Sequence, residues 1–227
     1  MTALRLGALA TSARLRSERT PFVLGLFVAL AALLSYLEQR AGGAAVDRAL
    51  TRDSFGLLLP VVSYLTFQRA TGGGRLDASA RTVARHGASA RTAWLGAALP
   101  PLLLLTLLGM TFAVVSVLLT RGPGDPALAR DLWQSGWVGA LAGTSYGAWF
   151  ALGSDFGRFG AGRKWILLLD FVLGSTSGSL ALPWPRAHVR NLLGAEPLLE
   201  LGQGTALATL LASTLCVLFV ALHRASD

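Results

Sequence analysis

Gly143-Thr144-Ser145-Tyr146-Gly147 has the G-x-S-x-G spacing that exposes a nucleophilic serine in serine hydrolases. That chemistry needs a sharp strand-to-helix turn and a nearby base. Here the pentapeptide sits inside an apolar run, and His86, His188 and His223 all fall in connections or at the ends of such runs. Packing explains the residues better. Ser135, Gly139, Gly143, Gly147 and Ala151 place a small side chain at every fourth position, a stripe that lets another helix approach closely. Gly174 and Gly178 repeat the theme among the hydroxyls of Ser175, Thr176, Ser177 and Ser179, which line a polar path or bond back to helix carbonyls.

Asp170 is the one ionisable residue well inside an apolar run. A carboxylate in a bilayer is costly, so it is either a coupling or gating group or half of a structural pair. The reading preferred here is a pair with a helix-end arginine such as Arg91 or Arg163. A proton relay would need a second buried carboxylate or histidine, and the neighbouring runs offer none. Asp77, Asp155 and Asp170 are too scattered to read as a metal-ligand motif. Gly72-Gly73-Gly74 lacks the following Lys-Ser/Thr of a phosphate-binding loop, so no ATPase site is expected on this chain. Cys216 is the only cysteine, which excludes an internal disulfide.

The elements that would position these groups are read from the bulk pattern. Of 227 residues, 53% are hydrophobic and only 14% charged, against about 25% charged in soluble domains. The apolar residues form long runs separated by short Arg-bearing connections, which is how helical membrane proteins read. The expected fold is all-α and integral to a membrane: one bundle over 1–227 with six spans, near 21–37, 46–68, 93–120, 132–152, 165–182 and 205–222. Pro21 suits a first helical turn, and Pro100-Pro101 should bend the third span. The Arg-then-apolar beginning is read as a retained first span rather than a cleaved signal.

Lys and Arg set the orientation. Thirteen of the twenty basic residues fall in both tails and the even-numbered connections. The odd-numbered connections hold the other seven, offset by seven acids. Both termini are therefore expected in the cytoplasm. Topology accounts for the net charge of +8, so nucleic-acid binding is not expected. Ahead of Pro21, Arg5, Ser12, Arg16 and Arg19 share one arc of a helix, with Leu4 and Leu15 beside them. A helix of this kind would lie along the inner surface, drawn by anionic lipid.

The most informative connection runs over 69–92, RATGGGRLDASARTVARHGASART. The glycine triplet breaks the preceding helix, and Leu76 to His86 then forms a short one with Asp77 near its N-terminus. Leu76, Ala80, Val83 and Ala84 lie near one face; Asp77, Arg81 and Arg85 lie on another. Gly87 ends the helix before the chain enters the bilayer. Such a helix suits docking into a groove on a partner; the alternative is a solvated positive loop.

This connector, with Arg85-His86-Gly87-Ala88-Ser89-Ala90-Arg91 leading into a Leu-rich span, resembles the membrane subunits of type-2 ATP-binding-cassette (ABC) exporters. Trp184 to Gly194, WPRAHVRNLLG, resembles the short outer helices that the family often places between its last two spans. The resemblance implies a permease without its own ATPase site, contacting a separate nucleotide-binding ATPase through Asp77, Arg81, Arg85, His86 and Gly87. ATP and Mg would belong to that ATPase. It further implies a second permease copy or homologue and an inner (plasma) membrane location. The rival readings are an integral-membrane enzyme of lipid metabolism and a non-transporting scaffold.

Overall fold

The computed structural model describes residues 2–17, 19–85, 89–195 and 197–225, with 41–43 by backbone alone. Within these residues the protein is all-helical, 83% helix and without strands. Three helices are long and apolar enough to cross a membrane: α2 (Arg19–Glu38), α6 (Ala90–Arg121) and α10 (Gln203–Arg224). Their best windows have mean hydropathies of 2.1, 2.6 and 2.3, yet most of each window is unburied by protein. Leu103, Leu107, Leu215 and Phe219 project outward at 55% to 70% exposure. Apolar surface of that extent is stable facing hydrocarbon rather than water. The chain is accordingly a membrane protein in its chemistry.

The other elements are shorter or more polar. α1 (Ala3–Leu15) precedes α2. Past Glu38 a 3-10 turn leads into α3 (Ala45–Arg48), a ten-residue π-helix (Ala49–Leu58) and α4 (Leu59–Ala70), one helical run over 45–70. The π-helix gives way to α4 beside Pro60, whose nitrogen has no hydrogen to donate. α5 (Leu76–Ala84) lies between α4 and α6. α6 carries Pro100 and Pro101 without interruption of the helix. α7 (Leu128–Gly153) is 26 residues long, but its glycines, serines and tryptophans lower its hydropathy below that of α2, α6 and α10.

The segment expected as a span over 165–182 differs. α8 (Gly162–Val172) ends at Val172, after about 16 Å of rise. Gly174 and the hydroxyl residues after it favour turns. Ser175 donates to the Phe171 carbonyl at 2.7 Å and Thr176 to that of Leu173 at 2.7 Å, competing with the helix as short polar side chains do. A 3-10 turn follows, then α9 (Pro185–Leu192), before the chain enters α10.

The core is built on α7, and its small-residue stripe is the reason. A Cβ at Gly143 would overlap the Leu105 carbonyl, and Gly139 and Gly109 oppose each other backbone to backbone. Gly147 packs on the Leu102 side chain, and Ser135 is buried at the other end of the stripe. α6 and α7 thus touch along their main chains, with Gly109 as the facing small residue. Gly178 does not belong to this packing, since a Cβ there would meet nothing within 4 Å. Hydroxyl pairs add polar links between helices. Thr106 meets Thr144 at 2.8 Å, Ser145 meets Thr214 at 2.8 Å, and Ser116 joins both Ser35 (3.0 Å) and Ser54 (2.8 Å). Ser145 is therefore a link from α7 to α10, and the hydrolase-like spacing around it serves packing.

α1 is held just as closely. A Cβ on Gly7 would strike the Ala93 carbonyl, and one on Gly96 would strike that of Leu4, so α1 crosses the start of α6 in backbone contact.

Candidate functional site

Two clusters of charged and polar side chains stand out. One surrounds α5, and the other lies where α8 meets α9.

The first is organised by Asp155, in the turn after α7. It is 2% exposed. One carboxylate oxygen accepts the backbone N–H of Asp77 at 2.9 Å; the other accepts the indole N–H of Trp94 at 2.9 Å. Asp77 is in the first turn of α5, where the N–H groups have no partner within the helix, so Asp155 caps α5 from a distant part of the chain. Burial pushes the Asp155 carboxyl up to about 7, and the nearby Asp77 charge adds to the rise, while the Asp77 N–H, the Trp94 indole and Arg75 oppose it.

The Asp77 side chain, expected on the partner face, is turned inward instead. It is buried and held by Arg75 (2.6 and 2.8 Å) and Arg81 (2.9 Å). Leu76 and Ala80 fill the core beneath it. The physical reason is Asp155: by fixing the Asp77 N–H it rotates the first turn of α5 toward the bundle. Ala78, Arg81, Thr82 and Arg85 are left on the open side. His86 and Gly87, the remaining expected contacts, lie outside the described residues.

Arg163, 1% exposed, braces the same region. Its guanidinium donates to Thr71 Oγ1 at 2.6 Å and to the carbonyls of Phe67 (3.4 Å) and Phe159 (3.1 Å). These acceptors include the C-terminal end of α4, where the helix dipole favours a cation. Arg14 of α1 reaches the Ala70 carbonyl at 3.1 Å and the Ser79 hydroxyl at 3.2 Å. Four segments therefore grip α5 and its approach: α1, α4, α6 and the α7–α8 turn.

The second cluster contains Asp170, 1% exposed. Its partner is Arg186 of α9, at 3.0 Å, rather than Arg91 or Arg163. The Tyr146 hydroxyl donates to the same carboxylate at 3.2 Å, and the Arg186 guanidinium lies over the Phe171 ring, 4.3 Å from its centroid. Close approach at Gly174 allows this geometry, since a Cβ there would sit 3.1 Å from the Arg186 Cβ. Arg186 was not among the partners the sequence suggested for Asp170, because an arginine between apolar runs ordinarily faces water. The signal against that is Trp184-Pro185 just ahead of it. Trp184 stacks on Trp149 with centroids 4.9 Å apart, and Pro185 begins α9, so the arginine enters the protein. His188 on the same helix is fully buried, its Nε2 2.6 Å from the Leu182 carbonyl.

Chemically, the second cluster is a neutralised pair suited to holding α8, α7 and α9 together. The first ties one helix with exposed cations to the bundle through hydrogen bonds. Among the described residues, no three His, Cys, Asp or Glu side chains converge as a metal site. No family model, curated protein or solved structure matches the chain.

Proposed function

We propose that the chain is the permease subunit of an ATP-driven ABC transporter working as an exporter. In this reading it is a six-span bundle of the cell's inner membrane with both termini in the cytoplasm. A separate nucleotide-binding ATPase, carrying ATP and Mg, drives it, and a second permease copy or homologue completes the pathway.

The observation that carries the reading is how α5 is mounted. Its outer side offers Arg81 and Arg85, and its inner end is bonded through Asp155 to Trp94 at the start of α6. A push on the arginine side therefore reaches α6 and α7, which are in backbone contact through Gly109, Gly139 and Gly143. A loop serving only as a topological counterweight would need no buried carboxylate at its root. Rigid mounting of a small exposed helix is what mechanical coupling requires, because a floppy link would dissipate the displacement.

The test starts from the neighbouring genes, one of which should encode a nucleotide-binding ATPase, and continues with co-expression of that ATPase and this chain. Arg81→Glu with Arg85→Glu should abolish co-elution of that ATPase and the stimulation of its ATP hydrolysis. With Cys216→Ser as background, Arg85→Cys should form a cross-link to the ATPase. Unchanged association in the charge-reversed variant, or no cross-link, would remove the proposal.

A further inference from the structure

An apolar groove of about 460 Å³ lies between the α1–α2 corner and α6, walled by Leu15, Pro21, Leu24, Pro100 and Leu104. It adjoins a second hollow of about 280 Å³ at Ala8 and Leu9; Ser12 and Pro100 line both. Arg16 stands at the first and Arg5 at the second. On α1, Arg5, Leu9, Ser12 and Arg16 fall at i, i+4, i+7 and i+11, a single stripe along the helix. Leu9, between the arginines, is 51% exposed.

Two features decide what fits here. The first is charge. Unlike Arg14, which bonds to Ala70 and Ser79, Arg5 and Arg16 have no side-chain partner among the described residues. Among the described residues no acid lines either hollow. The second is continuity. Beyond the groove, the outward faces of α2 and α6 remain apolar, with Phe22 72%, Leu26 47%, Leu99 42% and Leu103 55% exposed. These belong to two of the helices apolar enough to cross a membrane.

We infer that this groove binds one anionic diacyl phospholipid, its acyl chain along Leu24, Pro100 and Leu104, its phosphate at Arg16, with Arg5 adding positive charge at the adjoining hollow. A zwitterionic lipid would fit the apolar wall equally but would bring a cation of its own toward two guanidinium groups that no described residue pairs. An inorganic phosphate would satisfy the arginines and leave the wall uncovered. An anionic lipid satisfies both. The bound lipid bridges α1 and α6, and it seats the N-terminal helix where Gly7 and Gly96 bring the two helices into contact. The inference stands independently of the transport reading.

The test is native mass spectrometry of the full chain equilibrated in mixed micelles with equal phosphatidylglycerol and phosphatidylcholine. The native chain should retain phosphatidylglycerol over phosphatidylcholine by about thirtyfold, the scale expected for two juxtamembrane cations. Arg5→Gln with Arg16→Gln should erase the preference. Arg52→Gln with Arg130→Gln removes two exposed cations elsewhere and should leave it intact. Leu9→Trp keeps both arginines, fills the second hollow and should lower retention of either lipid. Millimolar inorganic phosphate should displace nothing. The inference is overturned if the Arg5/Arg16 variant keeps the native preference, if the Arg52/Arg130 variant loses it equally, if Leu9→Trp retains as much lipid as the native chain, or if phosphate alone strips the lipid.

Discussion

Asp155 and Trp94 are 61 positions apart in sequence, yet the Trp94 indole donates to the Asp155 carboxylate at 2.9 Å inside the protein. Because the other carboxylate oxygen takes the Asp77 N–H, one side chain joins α5, α6 and the end of α7. A single carboxylate sets how α5 is presented, and its protonation state should register in stability.

Burial pushes Asp155 from an ordinary value of 3.8 up to about 7. A carboxyl raised on folding contributes stability that is complete below pH about 4 and is lost as pH climbs through about 7. Thermal unfolding in detergent should therefore show the native chain losing ground to Asp155→Asn between pH 5 and pH 8. A constant difference between the two proteins across that range would contradict the assignment.

Trp94→Phe keeps the aromatic bulk and deletes the indole donor. It leaves a buried carboxylate oxygen short of one partner, at a cost of about 1–3 kcal/mol. The Trp94 hydrogen bond lowers the Asp155 value, so its loss should also move the pH midpoint of unfolding upward. Denaturant midpoints measured across pH check both effects.

Gly143 and Gly178 look alike in sequence and should behave differently. Gly143→Ala drives a methyl into the Leu105 carbonyl and should destabilise by about 1–3 kcal/mol as α6 and α7 are forced apart. Gly178→Ala meets open space at an ordinary φ of −88° and should change stability by less than about 0.5 kcal/mol. Parallel melting curves in one detergent decide the matter.

Breaking the Asp170–Arg186 pair from either side should cost about 3–5 kcal/mol, because the surviving charge stays buried without its partner. Removing both, as Asp170→Asn with Arg186→Met, should cost less than either single change. A double-mutant cycle on unfolding free energies reads the coupling. Additive losses would show that the two groups act separately.

The candidate sites were legible in unequal measure. The short helix over α5 follows from the glycine triplet, Asp77 and the spacing of Leu76 and Ala80, all local signals. The inward turn of Asp77 does not, since it depends on Asp155, a residue whose neighbours in sequence give no hint of a hydrogen-bond role. Arg186 was missed as the partner of Asp170 for a related reason: a lone arginine between apolar runs has the same local pattern whether it faces water or a buried carboxylate.

By itself, the sequence determined what depends on neighbours within a few turns: an all-helical chain, long apolar runs suited to a membrane, and a stripe of small residues at helical spacing on α7. Hydrophobic runs and i, i+4 repeats are properties of one element at a time. The tertiary structure alone decided which partners meet. It chose Arg186 for Asp170, brought Gly109 against the stripe, and stopped α8 at Val172 so that the chain could turn back into α9. Those outcomes rest on the relief of burying charge and on how closely two backbones can approach, and both are set by residues far apart along the chain.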